Sequence, residues 1–308
     1  YKRQLVGHFF IQVIGVQKSG LKIKFLSPKF NYIKEYLTIS LPLIIGQSIA
    51  VMDEQLFRVF GSYLGAGTVA SFRYARRVVL LPVGIVAQAV GVASYPTLSK
   101  LFVDEKYIEL KLLIRKHLSS LFLFNALMAV ILIVNSEEII SLVYERGRFT
   151  SSDVKRVSSI MNIVALGVIP WSVNQIITRA YYVQKRFWFP VMVGTITTIV
   201  TAISLVLKNN PTEISYSIII VSFLWAYTAF MLFSLKIKND SLLDNKLIYD
   251  IFCSVVISLL VYSFLNYLSL DFGSNILNLF ILSIISVFSF IVSIKVFRMK
   301  YVNFERRK

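Results

Sequence analysis

Cysteine is nearly missing from this chain: Cys253 stands alone, which excludes a disulfide framework and a thiolate metal site. The two histidines, His8 and His117, lie far apart with no metal-ligand spacing around them. There is no glycine-rich loop ending in Gly-Lys-Ser/Thr and no His-Glu-x-x-His pattern, so nothing points to ATP hydrolysis or to a bound metal. Acidic residues are short too, 16 against 33 Lys and Arg, which sets the net charge at +17. No residue pair supplies acid/base chemistry. The expectation is a protein that is not an enzyme and takes no cofactor, with no coupling ion specified by any motif.

Apolar residues are what the chain has in excess: 56% are hydrophobic and the mean hydropathy is +0.69. A hydrocarbon core of about 30 Å needs about 20 apolar residues per helix. Eight stretches reach that length, over residues 36–62, 68–99, 118–135, 158–181, 188–207, 212–235, 247–268 and 273–297. The connections between them alternate in charge. Residues 1–35 carry Lys2, Arg3, Lys18, Lys22, Lys24, Lys29 and Lys34, whereas the turn near Gly65 has only Arg58 at its edge. Basic residues return at 100–117, 179–187, 236–246 and in the tail after Lys295, and are sparse at 208–211 and around Asp271. The positive-inside rule then places both ends of the chain in the cytoplasm, with the protein multi-pass in a membrane. The loop 136–157 balances Arg146, Arg148, Lys155 and Arg156 with Glu137, Glu138, Glu145 and Asp153, and parity of helix number puts it outside. A charge of +17 on a soluble chain would suggest nucleic acid. Here it sits in loops beside an anionic leaflet, and membrane lipids rather than nucleic acid are the expected partner.

Three regions follow. Residues 1–35 read as the end of a preceding membrane helix, too short to span, and a basic cytoplasmic linker; with Tyr at position 1, the chain is expected to begin inside a larger protein. Residues 36–235 form a transmembrane lobe of six helices. Residues 236–308 add a C-terminal helix pair and a basic tail.

An ionisable side chain at mid-bilayer is costly, so charges inside spans are candidate functional groups. The first span carries Asp53, Glu54 and Arg58, and the second Arg73, Arg76 and Arg77. Asp53 lies twelve residues before Gly65 and Arg77 twelve after, so an antiparallel hairpin brings them to one depth; the same count pairs Glu54 with Arg76. Arg73 and Arg77 are four apart on one helix face, which a regular helix continues through Gly84, Gln88 and Gly91. Arginine keeps its charge when desolvated and grips phosphate with two parallel hydrogen bonds. A row of arginines on a cavity face therefore fits an anionic lipid headgroup such as a diphosphate.

The run PLIIGQSIAVMDEQLFRVFGSYLGAGTVASFRYARRVVLLPVGIVAQAVGVASYPTLSK resembles the start of the second half of the MurJ/MviN family, flippases of lipid-linked peptidoglycan precursor. ERGRFTSSD in the outer loop and TRAYYVQKRFWFP at the end of the fourth span match in order and spacing, and the similarity covers essentially the whole chain. The resemblance implies an all-α polytopic membrane protein of the multidrug/oligosaccharidyl-lipid/polysaccharide exporter fold, of which this chain is the second six-helix lobe plus a C-terminal helix pair. It implies flipping of lipid II by alternating access, with a lipid-linked diphosphate sugar as substrate and the N-terminal half of the same transporter as partner. Asp53 matches the family's acidic residue in this span, Arg77 its cavity arginine, and Arg179 the arginine before the aromatic-Tyr-Ala step. Glu145, Arg146, Gly147 and Phe149 match the outer loop, in an architectural part. The final helix pair is implied to line a groove for the polyprenyl tail. Substrate-binding candidates are thus Arg77, Arg76, Arg73, Asp53, Glu54, Arg179 and Gln88. Leu80 and Arg76 depart from the family pattern and make the cavity more basic. The rival readings are export of another lipid-linked oligosaccharide, of O-antigen or teichoic type, and a non-transporting scaffold for cell-wall synthesis.

Overall fold

In the computed structural model, residues 2–19, 30–49 and 51–268 are described, together with 284 and 288. The expected eighth span, the basic linker around residues 20–29 and the C-terminal tail lie outside them. The chain divides into two compact units, Tyr1–Pro42 and Leu43–Lys308. In the first, α1 (Lys2–Lys18) is a helix whose apolar stretch ends in Lys18, and α2 (Phe30–Ile49) begins.

Six helices among the described residues are long and apolar enough to cross a membrane: Thr68–Val103, Tyr107–Val134, Ser151–Val183, Trp188–Val206, Glu213–Ser234 and Asn245–Leu265. The first expected span is not one continuous helix. It breaks at Val51, where the backbone leaves helical values, and restarts as α3 (Met52–Gly61). The break has a consequence for charge. It puts Asp53 and Glu54 into the first turn of a new helix, where free N–H groups and the macrodipole favour carboxylates.

A 3₁₀ turn at Ser62–Leu64 and two glycines with positive φ, Gly65 and Gly67, reverse the chain into α4 (Thr68–Pro82). A π-helical segment at Val83–Ala87 joins α4 to α5 (Gln88–Val103). Pro82 explains it: without an N–H, and with a ring that crowds the carbonyl one turn back, it disrupts the regular ladder, and the helix widens. The widening turns the helix face. Buried positions run Ala75, Val79, Val83, Ala87 and Gly91, each four residues apart, a spacing that a regular helix of 3.6 residues per turn would carry round its axis. The stripe expected from α-helical counting therefore splits. Gly84 and Gln88 stay exposed, Gly91 rotates into the packed side, and the face of Arg77 continues through Leu81, Ile85 and Ala89.

The basic stretch 100–117 is mostly helix, not loop, because α6 (Tyr107–Val134) starts eleven residues earlier than expected. The connection 136–157, expected on the outside, is also ordered. It forms α7 (Ser136–Tyr144) and then α8 (Ser151–Val164), whose start is sealed by a reciprocal cap between Thr150 and Asp153. Pro170 lies in the first turn of α9 (Val168–Val183), the place a helix tolerates proline, after a 3₁₀ link at Ala165–Gly167. The remaining spans are α10 (Trp188–Val206), α11 (Glu213–Ser234) and α12 (Asn245–Leu268).

With no water to expel between helices in lipid, packing and interhelical hydrogen bonds hold such a bundle. Buried pairs do so here: Ser172 donates to Asn125 at 2.9 Å between α9 and α6, and the Tyr181 hydroxyl donates to the Met231 carbonyl at 3.0 Å. The α12 helix is less uniformly lipid-facing than its composition suggests. Asp250, Cys253, Ile257, Val261 and Leu265 form one buried stripe, the last four packed on Leu123, Leu127 and Val130 of α6, while Phe252, Leu259 and Phe264 stay exposed.

An unexpected hairpin, β1 (Lys236–Ile237) with β2 (Asp240–Ser241), precedes α12. Lys238 and Asn239 both take positive φ, as a two-residue hairpin turn requires. The hairpin docks along one face of α6. Lys238 lies 5.0 Å from the Tyr107 ring, Lys111 pairs with Asp240, Arg115 donates to the Leu242 carbonyl at 2.7 Å and reaches Asp244 at 3.3 Å, and Ser119 donates to Asp250 at 2.7 Å. Tyr107, Lys111, Arg115 and Ser119 are successive four-residue steps, so a single helix face engages residues 238–250. The hydrogen bond from Lys111 keeps the Asp240 carboxyl below its ordinary range.

Candidate functional site

The hairpin of α3 and α4 carries the charges singled out above. Arg76 grips Asp53 with two hydrogen bonds, Nε to Oδ2 at 2.7 Å and Nη2 to Oδ1 at 3.0 Å. Its Nη1 also donates to Glu54 at 3.2 Å, and Arg73 reaches the other Glu54 oxygen at 3.3 Å. The Trp171 ring of α9 sits 5.5 Å from the Arg76 guanidinium carbon, adding a cation–π contact. Arg76 and Asp53 are each only 11% exposed, so this is a desolvated pair with its hydrogen bonds largely satisfied.

The expected pairing is therefore corrected. Asp53 bonds Arg76 instead of Arg77, and Glu54 is shared between Arg76 and Arg73. Depth alone cannot separate neighbouring residues that differ by about 1.5 Å of rise, whereas azimuth separates them by about 100°. Arg76 lies beside buried Phe72, Ala75 and Val79, facing α3, where Phe57 stacks on Phe72 at 3.8 Å. Arg77 points elsewhere. Two carboxylates and two arginines thus neutralise one another, and Arg77 is left exposed with no carboxylate partner among the described residues.

Arg77 lies toward the ordered outer loop. Tyr144 of α7 packs against Tyr74 and Phe149, and burial raises its phenol above the ordinary range while the Arg77 charge pulls it down. Around it the outer motif is folded: Glu145 accepts from Ser141 and Ser151, Gly147 takes φ +65, and Phe149 meets Tyr74 edge-on. Gln88 is exposed beyond the π segment, on the same long helix as Arg77. Arg179 is on α9, and its guanidinium lies over Gly91 of α5, fourteen residues along the chain from Arg77.

Sequence reasoning missed one polar centre outright. Arg156 of α8 bonds Glu213 at the start of α11 through Nε at 2.8 Å, Thr68 at the start of α4 at 2.9 Å, and the Ala66 carbonyl at 3.2 Å, while Thr68 donates to Glu213 at 2.8 Å. It ties three helix ends together. Arg156 reads in sequence as one more outer-loop charge; the only hint of its partner is Glu213 in the first turn of an apolar helix. Among the described residues, no three His, Cys, Asp or Glu side chains gather as a metal site.

Apolar helices of membrane-crossing length, joined by buried polar contacts, one of them neutralising Arg73 and Arg76 against the short α3, define a multi-pass α-helical membrane protein. The chain belongs to the lipid II flippase MurJ family, whose model matches residues 5–294. A probable lipid II flippase MurJ of Rhizobium tropici is 27% identical over 184 residues, covering 56% of this chain and 32% of that protein. A probable lipid II flippase MurJ of Buchnera aphidicola is 21% identical over 276 residues, covering 85% of this chain and 53% of the relative. A solved structure of lipid II flippase MurJ in an inward closed conformation superposes with a TM-score of 0.72 at 21% identity, over 92% of this chain and 58% of its own, which establishes the fold. The chain spans about a third to about half of the length of these two curated relatives.

Proposed function

We propose that the protein flips lipid-linked peptidoglycan precursor, lipid II, across the bacterial inner membrane by alternating access, with this chain acting as a second six-helix lobe and C-terminal helix pair. Family membership supports the cargo. The observation that carries the mechanism is the charge balance between α3 and α4: once Asp53, Glu54, Arg73 and Arg76 have neutralised one another, Arg77 stands exposed on a membrane helix with its guanidinium uncommitted. Such a group meets a diphosphate well, because it keeps its charge and offers paired donors. Arg73, more than half exposed, sits one turn toward the outside and can take over the same phosphate during export. Gln88 lies exposed further along the same long helix, off the face that Arg77 heads. The facing wall of the cavity is, in this reading, the N-terminal lobe that the resemblance implies.

The function is tested by depleting the protein from its own bacterium and following the precursor. Accumulation of lipid-linked precursor on the inner leaflet, relieved on re-expression, is the expected result; unchanged export would contradict the function. Orientation is tested by single cysteines placed in a Cys253→Ser background. Cysteines at Thr150 and Asn209 are expected to react with an impermeant reagent from outside, and those at Lys106 and Asn239 only after the membrane is opened. Outside labelling at Lys106 would reverse the topology.

A further inference from the structure

Six arginines belong to the six apolar spans, and four of them have carboxylate partners: Arg73, Arg76, Arg115 and Arg156. Arg77 and Arg179 have none among the described residues. Arg77 is accounted for by the cavity face. Arg179 is a separate matter, on a different helix and much nearer the cytoplasmic end.

Arg179 lies one turn before the end of α9 at Val183, and a long basic side chain so placed commonly reaches outward to the headgroups. This one folds the other way. Its Nη1 donates back up the helix to the Gln175 carbonyl at 2.5 Å and to Gln175 Oε1 at 2.9 Å, which turns the guanidinium deeper into the span. Both acceptors are neutral, and among the described residues neither Nε nor Nη2 has an acceptor. An arginine offers five N–H donors, so a large part of this fork is unspent.

The surroundings leave room for it. A Cβ on Gly91 would lie 2.6 Å from Nη1 and 2.8 Å from Cζ, so the guanidinium lies against α5 where a side chain would displace it. The phenols of Tyr95, one turn along α5 from Gly91, and of Tyr182 on α9 lie within electrostatic reach of it. Tyr182 in turn packs on a second glycine, its hydroxyl 3.3 Å from where a Cβ on Gly46 of α2 would sit. A planar cation with unspent donors and two flanking hydroxyls is what a phosphate oxygen cluster requires.

We propose that Arg179, with Tyr95 and Tyr182, forms a second anion station that takes a phosphate or diphosphate group on the cytoplasmic side of the span. Gly91 is fourteen residues beyond Arg77, which sets the two stations about 20 Å apart along the helix. Resting on the proposed function, the ligand is the diphosphate of the lipid carrier: it is received at Arg179 and passed to Arg77 and Arg73. The separation matches the greater part of a hydrocarbon core, so neither arginine alone covers the path.

The test uses the purified protein at its full natural length, with inorganic pyrophosphate and farnesyl diphosphate as probes in a calorimetric titration. A background carrying both Arg73→Gln and Arg77→Gln removes the outer guanidinium groups, leaving saturable farnesyl diphosphate binding as the expected report of the inner station. Adding Arg179→Gln is expected to weaken that binding at least about tenfold, the loss that follows from removing charge-assisted donors. Gly91→Ala in the same background displaces the guanidinium without removing its charge, meets only the flexible end of a side chain, and is expected to give a similar loss. Unchanged affinity in both variants would overturn the station. Pyrophosphate bound as tightly as farnesyl diphosphate would overturn the lipid assignment in favour of a free phosphate anion. A native protein that translocates no precursor, while both substitutions still weaken binding, would contradict the proposed function and leave the anion station standing.

Discussion

Arg76→Ala is expected to unfold or destabilise the protein by about 3–5 kcal/mol, the usual cost of removing one partner of a buried ion pair. The reason is the company it leaves behind. Asp53, only 11% exposed, would lose both of its hydrogen bonds to Arg76, and Glu54 would keep only its longer contact with half-exposed Arg73. The Trp171 ring would also lose the cation above it. A buried carboxylate without its cation must either stay charged in a poor solvent or take up a proton. Thermal melting in detergent, followed by size-exclusion recovery, checks this: Arg76→Ala should melt well below the native protein. Arg76→Gln combined with Asp53→Asn should recover a large part of the loss, since two neutral side chains leave no naked charge. A melting temperature unchanged in Arg76→Ala would mean that the cluster contributes nothing to the bundle.

Spans were the most legible part of this protein because their signal is collective. Six of the eight apolar stretches emerge as membrane-length helices, and one more, 36–62, as two helices broken at Val51. What sequence periodicity could not carry was rotation about a helix axis. The count from Gly65 placed Asp53 level with Arg77 and Glu54 level with Arg76, and only the packing of Phe72, Ala75 and Val79 decides which arginine faces α3. A π segment after Pro82 has the same kind of effect further on, turning Gly91 inward to meet Arg179 while leaving Gln88 exposed. The first error comes from counting depth without azimuth, the second from counting across a helix that is not regular.

Long-range polar pairing was the other blind spot. Lys111 and Arg115 read as charges of a basic loop, yet each meets a residue more than 120 positions away, as Arg156 meets Glu213 across the outer face. Those contacts link elements by single side chains and leave no periodic trace. The arginines of the second span were legible as a group, because six charges within two adjacent segments of apolar sequence need partners or a role. Which of them is spent in structure and which remains for a ligand follows only from geometry. Among the described residues Arg77, not Arg76, is the one without a carboxylate partner.

That distinction gives the account its sharpest test. Arg77→Ala is expected to abolish export, lowering it by at least about a hundredfold, because a desolvated phosphate loses a bidentate, charge-assisted partner. The protein should still insert and melt near the native temperature, since Arg77 has no carboxylate partner among the described residues. Arg77→Lys should restore transport only in part: an ammonium keeps the charge but lacks the planar fork. The measurement is the rate at which lipid-linked precursor reaches the outer leaflet in cells depleted of the native protein and expressing each variant at matched membrane levels. The account predicts normal insertion with export lost in Arg77→Ala and partly regained in Arg77→Lys. Native rates of export in Arg77→Ala would contradict it.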